Sequence, residues 1–239
     1  MKKSTINEIR DRFDQDVERF SNLETGQTAT IDASFTLDLV TEAAKCIAPN
    51  AKTVLDVGCG AGNFTLKLLE KISDLDCTMV DLSQPMLDRA SKRLKEKTSS
   101  NVNVKQGDIR NVELEEGAFD IILAGAVLHH LRDEKDWELT FEKLFTLLSP
   151  NGCLLVSDLL IHDIPSLNDF VWEKYGEYLT SLNGEEYRDK VLAYIEKEDS
   201  PRSMSFQFEL MKKIGFQKIE ILHKNLCFGA LAGIKNSKA

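Results

Sequence analysis

Apolar positions along the chain switch between helical spacing and short continuous runs, and the switches divide it into alternating elements. Ile9, Phe13, Val17 and Phe20 make one apolar stripe among charges, which predicts an amphipathic helix over residues 6–20. Residues 21–30 are polar and read as a connection. A second helix is expected over residues 32–47, with Phe35, Leu39 and Ala43 facing inward, before the break at Pro49-Asn50. Thr53, Val54, Leu55 and Val57 then form the mostly β-branched run expected of a strand buried on both faces of a parallel sheet. Gly58, Gly60 and Gly62 end that run, and Phe64, Leu68, Leu69 and Ile72 return to helical spacing. The glycines let a ligand approach the backbone where a Cβ would block it.

The alternation continues downstream. Thr78-Met79-Val80 is a second strand closing on Asp81, and Ser83 caps a helix with Pro85 in its first turn and Leu87, Ala90 and Leu94 inside. Strands are expected at 102–105, 119–124 and 153–156. A helix carrying Trp137, Phe141, Leu144, Leu147 and Leu148 precedes the last of them. Such a series implies an α/β, doubly wound, Rossmann-like sheet that binds its ligand at the strands' carboxyl ends. Residues 158–202 break the rhythm with two helical stretches, 166–182 and 185–196, where a short crossing would suffice. After a helix at 203–214, residues 219–222 and 228–234 read as an antiparallel hairpin, making seven strands, mostly parallel. The chain is thus read as one domain, 1–239, with residues 1–30 a lid helix and 158–202 a helical cap.

With 239 residues the chain can bury a core without staples, and its five scattered cysteines contain no C-x-x-C pair to suggest zinc or disulfides. No signal peptide or membrane span is apparent, so the cytosol is the expected compartment. A net charge of −9 argues against a broad electrostatic grip on nucleic acid and favours a small-molecule acceptor. A homodimer stays open.

Two acids give the glycine turn its chemistry. Asp81, at the end of the second strand, suits a ribose diol. Asp56 lies inside the first strand, where a carboxylate would repel a pyrophosphate and attract a cationic amine or sulfonium group. Val-Leu-Asp-Val-Gly-Cys-Gly-Ala-Gly (54–62) resembles the first motif of class I S-adenosylmethionine-dependent methyltransferases. Asp81-Leu82-Ser83 with Pro85-Met86-Leu87 resembles the second motif, Gly107-Asp108-Ile109 the third, 119–131 the fourth and Leu148-Ser149-Pro150-Asn151-Gly152 with 153–156 the fifth.

The resemblance implies S-adenosylmethionine as cosubstrate and a last strand inserted antiparallel beside the fifth. It implies a donor site of Asp56, Gly58, Cys59, Gly60, Asn63, Asp81, Leu82, Met86, Asp108, Ile109, Ala124 and Gly125, with Met86 on the adenine ring and Asp108 accepting from its amine. Met86 is equally readable as core.

Methyl transfer by in-line attack needs few catalytic groups, so the acceptor atom is not written in the motifs. His129, His130 and Tyr178 are the candidate bases. No metal is expected, because adjacent histidines on a helix do not readily face one ion and no carboxylate cluster accompanies them in sequence. Arg188 or Arg202, with Trp172 and Tyr175, could line an acceptor pocket in the cap, against the plain readings of surface ion pairs and packing.

Phe13-Asp14 and Cys227-Phe228-Gly229-Ala230-Leu231 are also similar to carboxy-S-adenosylmethionine synthases, in which an arginine holds the extra carboxylate. Arg188 or Arg202 would be its equivalent, although the chain departs from those enzymes in its cap and glycine loop. A non-catalytic nucleoside sensor and a dehydrogenase are the remaining rivals, and Asp56 argues against the latter.

Overall fold

The glycine-terminated run folds as an interior strand of a seven-stranded sheet in the computed structural model, which describes residues 3–22 and 27–236. In chain order the elements are α1 (Ile6–Gln15), α2 (Val17–Ser21), α3 (Ala33–Ile47), β1 (Thr53–Val57), α4 (Asn63–Leu69), β2 (Asp76–Asp81), α5 (Gln84–Lys95) and β3 (Val102–Gln106). There follow β4 (Phe119–Gly125), a 3-10 turn (Leu128–His130), α6 (Glu134–Leu147), β5 (Leu148–Leu159), α7 (Pro165–Glu198), α8 (Met204–Ile214), β6 (Lys218–Asn225) and β7 (Phe228–Ile234). The expected polar stretch at 21–30 and the lid at 1–30 fall partly on residues 1–2 and 23–26, outside the described residues.

The sheet order is β3-β2-β1-β4-β5-β7-β6, parallel through β5 and antiparallel at β7 and β6. Strand order reverses between β1 and β4, and that crevice is where a doubly wound sheet receives a ligand. Side-chain alternation sorts the core onto the two faces. Leu55, Val57, Ile122, Ala124, Leu154 and Val156 pack toward α6 and α8, while Val54, Ile121, Leu123, Cys153 and Leu155 pack with residues of α3 and α5. A third apolar cluster joins α7, through Val171, Tyr175 and Leu179, to Ile31, Leu159 and Cys227.

Three local expectations are corrected. The first helix is two, broken at Asp16; Thr5 and Glu8 form a capping box at the start of α1, and a backbone bond from Asp16 to Phe13 closes its end. The buried stripe of α3 is Thr36, Val40 and Ala44, one position along from Phe35, Leu39 and Ala43; Phe35 is 58% exposed and meets the His223 ring edge-on. Leu148 belongs to β5 rather than the preceding helix, and that strand runs to Leu159. The two helical stretches expected in the cap are present as the two arms of α7, which part where Asn183 leaves helical geometry and Gly184 turns to φ +81°.

Candidate functional site

A cleft of about 360 Å³ opens at the carboxyl ends of β1, β2 and β4. Gly58 takes φ +63°, and a Cβ there would lie 2.3 Å from Val127 Cγ2, so the turn is held against the segment after β4 as only glycine permits. At Gly125 a Cβ would lie 2.4 Å from the Phe64 ring, which keeps the β4 end open to the cleft. Gly58 and Cys59 donate their N–H groups to Val80 O, tying the turn to β2. Asp81 clamps it further, accepting from Gly60 N at 2.8 Å and from Ser83 N at 2.9 Å.

The acids are tuned by burial. Burial pushes the Asp56 carboxyl up to about 7, opposed by the Thr65 hydroxyl, which donates to Asp56 Oδ2 at 2.7 Å. Burial also raises Asp81, against the backbone N–H groups of Ser83 and Gly60 that favour its anion. Asp108 is gripped by Arg110 through Nε at 3.0 Å and Nη2 at 2.5 Å; Arg110 outweighs burial and holds that carboxyl low.

A cation placed against Asp56 favours its ionised form, so binding such a ligand expels the proton. Affinity for S-adenosylmethionine is therefore expected to fall about fivefold to tenfold from pH 8 to pH 6, one unit below the Asp56 value. Calorimetry across that range checks it, and Asp56→Asn should flatten the dependence.

The N-terminal helices form one wall of the cleft: Ile6, Ile9 and Phe13 of α1 and Phe20 of α2 all line it. Asn63 Nδ2 donates to Phe20 O at 2.8 Å, and Asn63 Oδ1 accepts from Arg93. Arg12 holds Glu198 with Nε and Nη2, which joins α1 to the end of α7. Phe13, Phe20, Gln27, Phe64, Ala126 and His130 also line a second chamber of about 150 Å³, walled by Tyr175, Val191, Tyr194 and Ile195 of α7 and by Phe228.

A buried polar cluster sits at one side of this mostly apolar chamber. Asp158, near the end of β5, accepts from Leu128 N at 2.7 Å, His129 N at 3.1 Å and Leu159 N at 2.7 Å, and it meets His129 Nδ1. Asp199, just past α7, places Oδ1 3.7 Å from His129 Nε2 and 3.2 Å from His130 Nδ1. Neither His130 ring nitrogen nor Asp199 Oδ1 makes a hydrogen bond. Burial alone would lower the His129 pKa, but the Asp158 and Asp199 carboxylates overcome it and raise it to about 9. His130 is lowered by burial and by the charge of His129.

Of the residues singled out in the sequence, the fold gathers Asp56, Gly58, Cys59, Gly60, Asn63, Asp81, Leu82, Met86, Asp108, Ile109 and Gly125 around the cleft. Ala124 lies instead in the core beneath it, 1% exposed. His129 and Tyr175 line the chamber and His130 lines both spaces. Tyr178 lines neither, and its hydroxyl donates to Thr28 O.

The arginines also stand apart. Trp172 and Arg188 flank a shallow depression on the outside of α7, where Arg188 pairs with Asp189 at 2.8 Å. Arg202 packs its guanidinium over Phe206 and borders neither space. Arg188→Ala is expected to leave S-adenosylmethionine affinity unchanged within about twofold, since its partners are exposed and an exposed pair contributes little; calorimetry reads this directly.

The sequence reading missed Asp158, Asp199 and Arg12. Asp158 had a signal, an acid at the carboxyl end of an apolar strand run, as at Asp81. Asp199 had none, because the length of α7 brings it back to the site. The objection to a metal set presumed a helix without carboxylates, whereas a 3-10 turn presents both histidines with Asp199 beside them.

The profile of a family described as a methyltransferase domain matches residues 54–152. The carboxy-S-adenosyl-L-methionine synthase of Helicobacter pylori (strain G27) is 30% identical over 193 residues, covering 78% of this chain and 77% of that protein. The demethylmenaquinone methyltransferase of Lactococcus lactis is 27% identical over 173 residues, covering 70% and 67%. Among solved structures, phosphoethanolamine N-methyltransferase 2 of Haemonchus contortus, in complex with S-adenosyl-L-methionine, shares the fold with a TM-score of 0.65 at 18% identity, over 98% of this chain and 60% of that one.

Proposed function

This chain is a class I S-adenosylmethionine-dependent methyltransferase, and from that premise we propose that its acceptor is a small, mostly apolar molecule bound in the chamber beneath α7. The observation that carries the proposal is the chamber itself, which shares Phe13, Phe20, Phe64, Ala126 and His130 with the donor cleft. Its mostly apolar walls carry a few polar groups, the histidine–aspartate cluster among them, the arrangement of a site that desolvates and orients a small ligand.

The residues present fit the cosubstrate. A glycine turn with no room for a Cβ, an acid at the end of β2 and a buried acid beside the turn match a cationic nucleoside. In this reading Asp81 takes the ribose diol, Met86 and Ile109 flank the adenine with Asp108 at its amine, and Asp56 faces the cationic amino acid end. Gly58, Cys59, Gly60, Asn63, Leu82 and Gly125 shape the cleft around them. When bound, S-adenosylmethionine supplies an electrophilic methyl group whose bond to sulfur breaks as the acceptor's lone pair forms the new bond, the sulfur keeping the electron pair. The chain's own part is to exclude water with α1, α2 and α7 and to hold the acceptor atom in line. The five free cysteines suit a reducing compartment, and we place the enzyme in the cytosol on that ground.

The similarity to a carboxy-S-adenosylmethionine synthase sustains a second reading, in which the donor itself is modified. That chemistry needs a cation for the added carboxylate; Arg188 and Arg202 border neither space, whereas Arg110 and Arg132 line the donor cleft and Arg19 the chamber, so the supply of cations does not decide between the readings. Mass spectrometry of the nucleoside released on denaturing the purified protein separates the readings. S-Adenosylmethionine or S-adenosylhomocysteine, with labelled methyl transfer to members of a panel of small aromatic and aliphatic hydroxyl compounds, is expected. A nucleoside heavier by one carboxyl group would establish the second reading instead.

A further inference from the structure

The buried cluster is incompletely satisfied by its own protons. The His129 ring meets Asp158, yet Asp199 Oδ1 and both His130 nitrogens have no hydrogen-bond partner among the described residues. Neighbouring cations are committed elsewhere: Arg12 binds Glu198 and Tyr194, and Lys3 reaches the backbone oxygen of Asp199 rather than its carboxylate. We propose that His129, His130 and Asp199 form a binding site for one divalent first-row transition-metal ion, open toward the acceptor chamber.

One ligand atom from each residue lies within 4.8 Å of the others, and the two edges to Asp199 Oδ1 are 3.7 and 3.2 Å. Ligands about 2.1 Å from a tetrahedral ion stand roughly 3.4 Å apart, so the site closes with small ring rotations. Asp158 on His129 Nδ1 directs Nε2 to the ion, the outer-shell carboxylate that metal-binding histidines commonly have. Two carboxylates, Asp158 and Asp199, offset a double positive charge. Two histidines and one carboxylate leave coordination positions free, the pattern of an open rather than a structural site. All three residues line the chamber.

The ion's role rests on the methyl-transfer reading; its site does not. An acceptor hydroxyl replacing water on the ion would be acidified, losing its proton to solvent and keeping the electron pair on oxygen as the nucleophile. The acceptor class this favours is a small molecule with a hydroxyl or enol oxygen.

The test begins with cobalt(II) alone, titrated into chelator-treated, untagged, full-length protein. One equivalent should bind with visible d–d absorption, and X-ray absorption of that wild-type complex should count two imidazole ligands. His130→Gln and Asp199→Asn should each weaken binding at least about tenfold, with far-ultraviolet circular dichroism and the thermal midpoint as the checks that the fold persists. Absence of absorption, fewer than two imidazoles, or undiminished binding by both variants would overturn the site. Removing metal should lower kcat while S-adenosylmethionine still binds; unchanged turnover would overturn the catalytic role. The nucleoside mass measurement reads the methyl-transfer reading separately, since metal uptake is observed without cosubstrate or acceptor.

Discussion

Asp81→Ala is expected to weaken S-adenosylmethionine binding by about 100- to 10,000-fold while leaving the ligand-free protein folded. The carboxylate ends β2 with its oxygens on Gly60 N and Ser83 N, and its remaining acceptor capacity faces the cleft. Two hydroxyls of a ribose diol bonding to a charged acceptor contribute roughly 1.5–3 kcal/mol each, and about 1.4 kcal/mol is a factor of ten in affinity. Loss of the clamp on Gly60 adds to this by freeing the turn. Stability should change little, because the freed Gly60 and Ser83 N–H groups are only partly buried and meet water in the open cleft, and burial already opposes the Asp81 anion. Calorimetry with S-adenosylhomocysteine and S-adenosylmethionine measures the loss, and Asp81→Asn, which keeps one acceptor oxygen, should fall between. An alanine variant within threefold of wild type would place the ribose elsewhere.

The parts legible in the sequence were those whose physics is local. β1 with its glycine turn is written in consecutive residues, because a strand buried on both faces needs an apolar run and the turn needs residues that tolerate positive φ. The antiparallel ending was legible too, since β6 and β7 are joined by a short connection. The stripe on α3 was misjudged by one position because Phe35-Leu39-Ala43 and Thr36-Val40-Ala44 share one spacing and Phe35 is the larger side chain; the fold buries Thr36 with Val40 and Ala44. The break at Asp16 was hidden by an apolar spacing that continues across it.

The acceptor side was not legible for a different reason. Its walls come from α1, α2, α7 and β7, and its polar cluster from the turn after β4, the end of β5 and the end of α7. Apart from the consecutive α1 and α2, and β5 followed by α7 with its own end, these segments lie far apart in the sequence. The aromatics of α7 illustrate the point: Tyr175 turns into the chamber and donates its hydroxyl to Ala29 O, while Trp172, three positions earlier, lines the outer depression. Composition marked the cap as unusual, and only the kinked path of α7 separates the two faces.

Asp158→Asn is the substitution expected to separate chemistry from binding most sharply. Oδ2 of Asp158 accepts from two backbone N–H groups, and Oδ1 meets the His129 ring and accepts from Leu159 N. An amide offers one acceptor oxygen. The arrangement that keeps both bonds to the 3-10 turn puts the amide NH2 toward His129 Nδ1, which must then accept instead of donate. Without the Asp158 charge the His129 imidazolium sheds its Nδ1 proton and keeps the one on Nε2, so that nitrogen can neither take a proton nor bind an ion. Turnover should fall by about two to three orders of magnitude, in line with the effect of a reversed tautomer at other histidine–aspartate pairs. S-Adenosylmethionine affinity should stay within about threefold, because Asp158 does not border the donor cleft. Single-turnover transfer of a labelled methyl group, beside calorimetry on the same variant, measures the two quantities independently. Asp158→Ala should behave differently: it strands three buried N–H groups, each costing about 1–3 kcal/mol, so its loss of activity should come with a lowered thermal midpoint. If Asp158→Asn turned over like wild type, the orientation of His129 would have no part in the reaction, and the acceptor would meet the methyl group through the shape of the chamber alone.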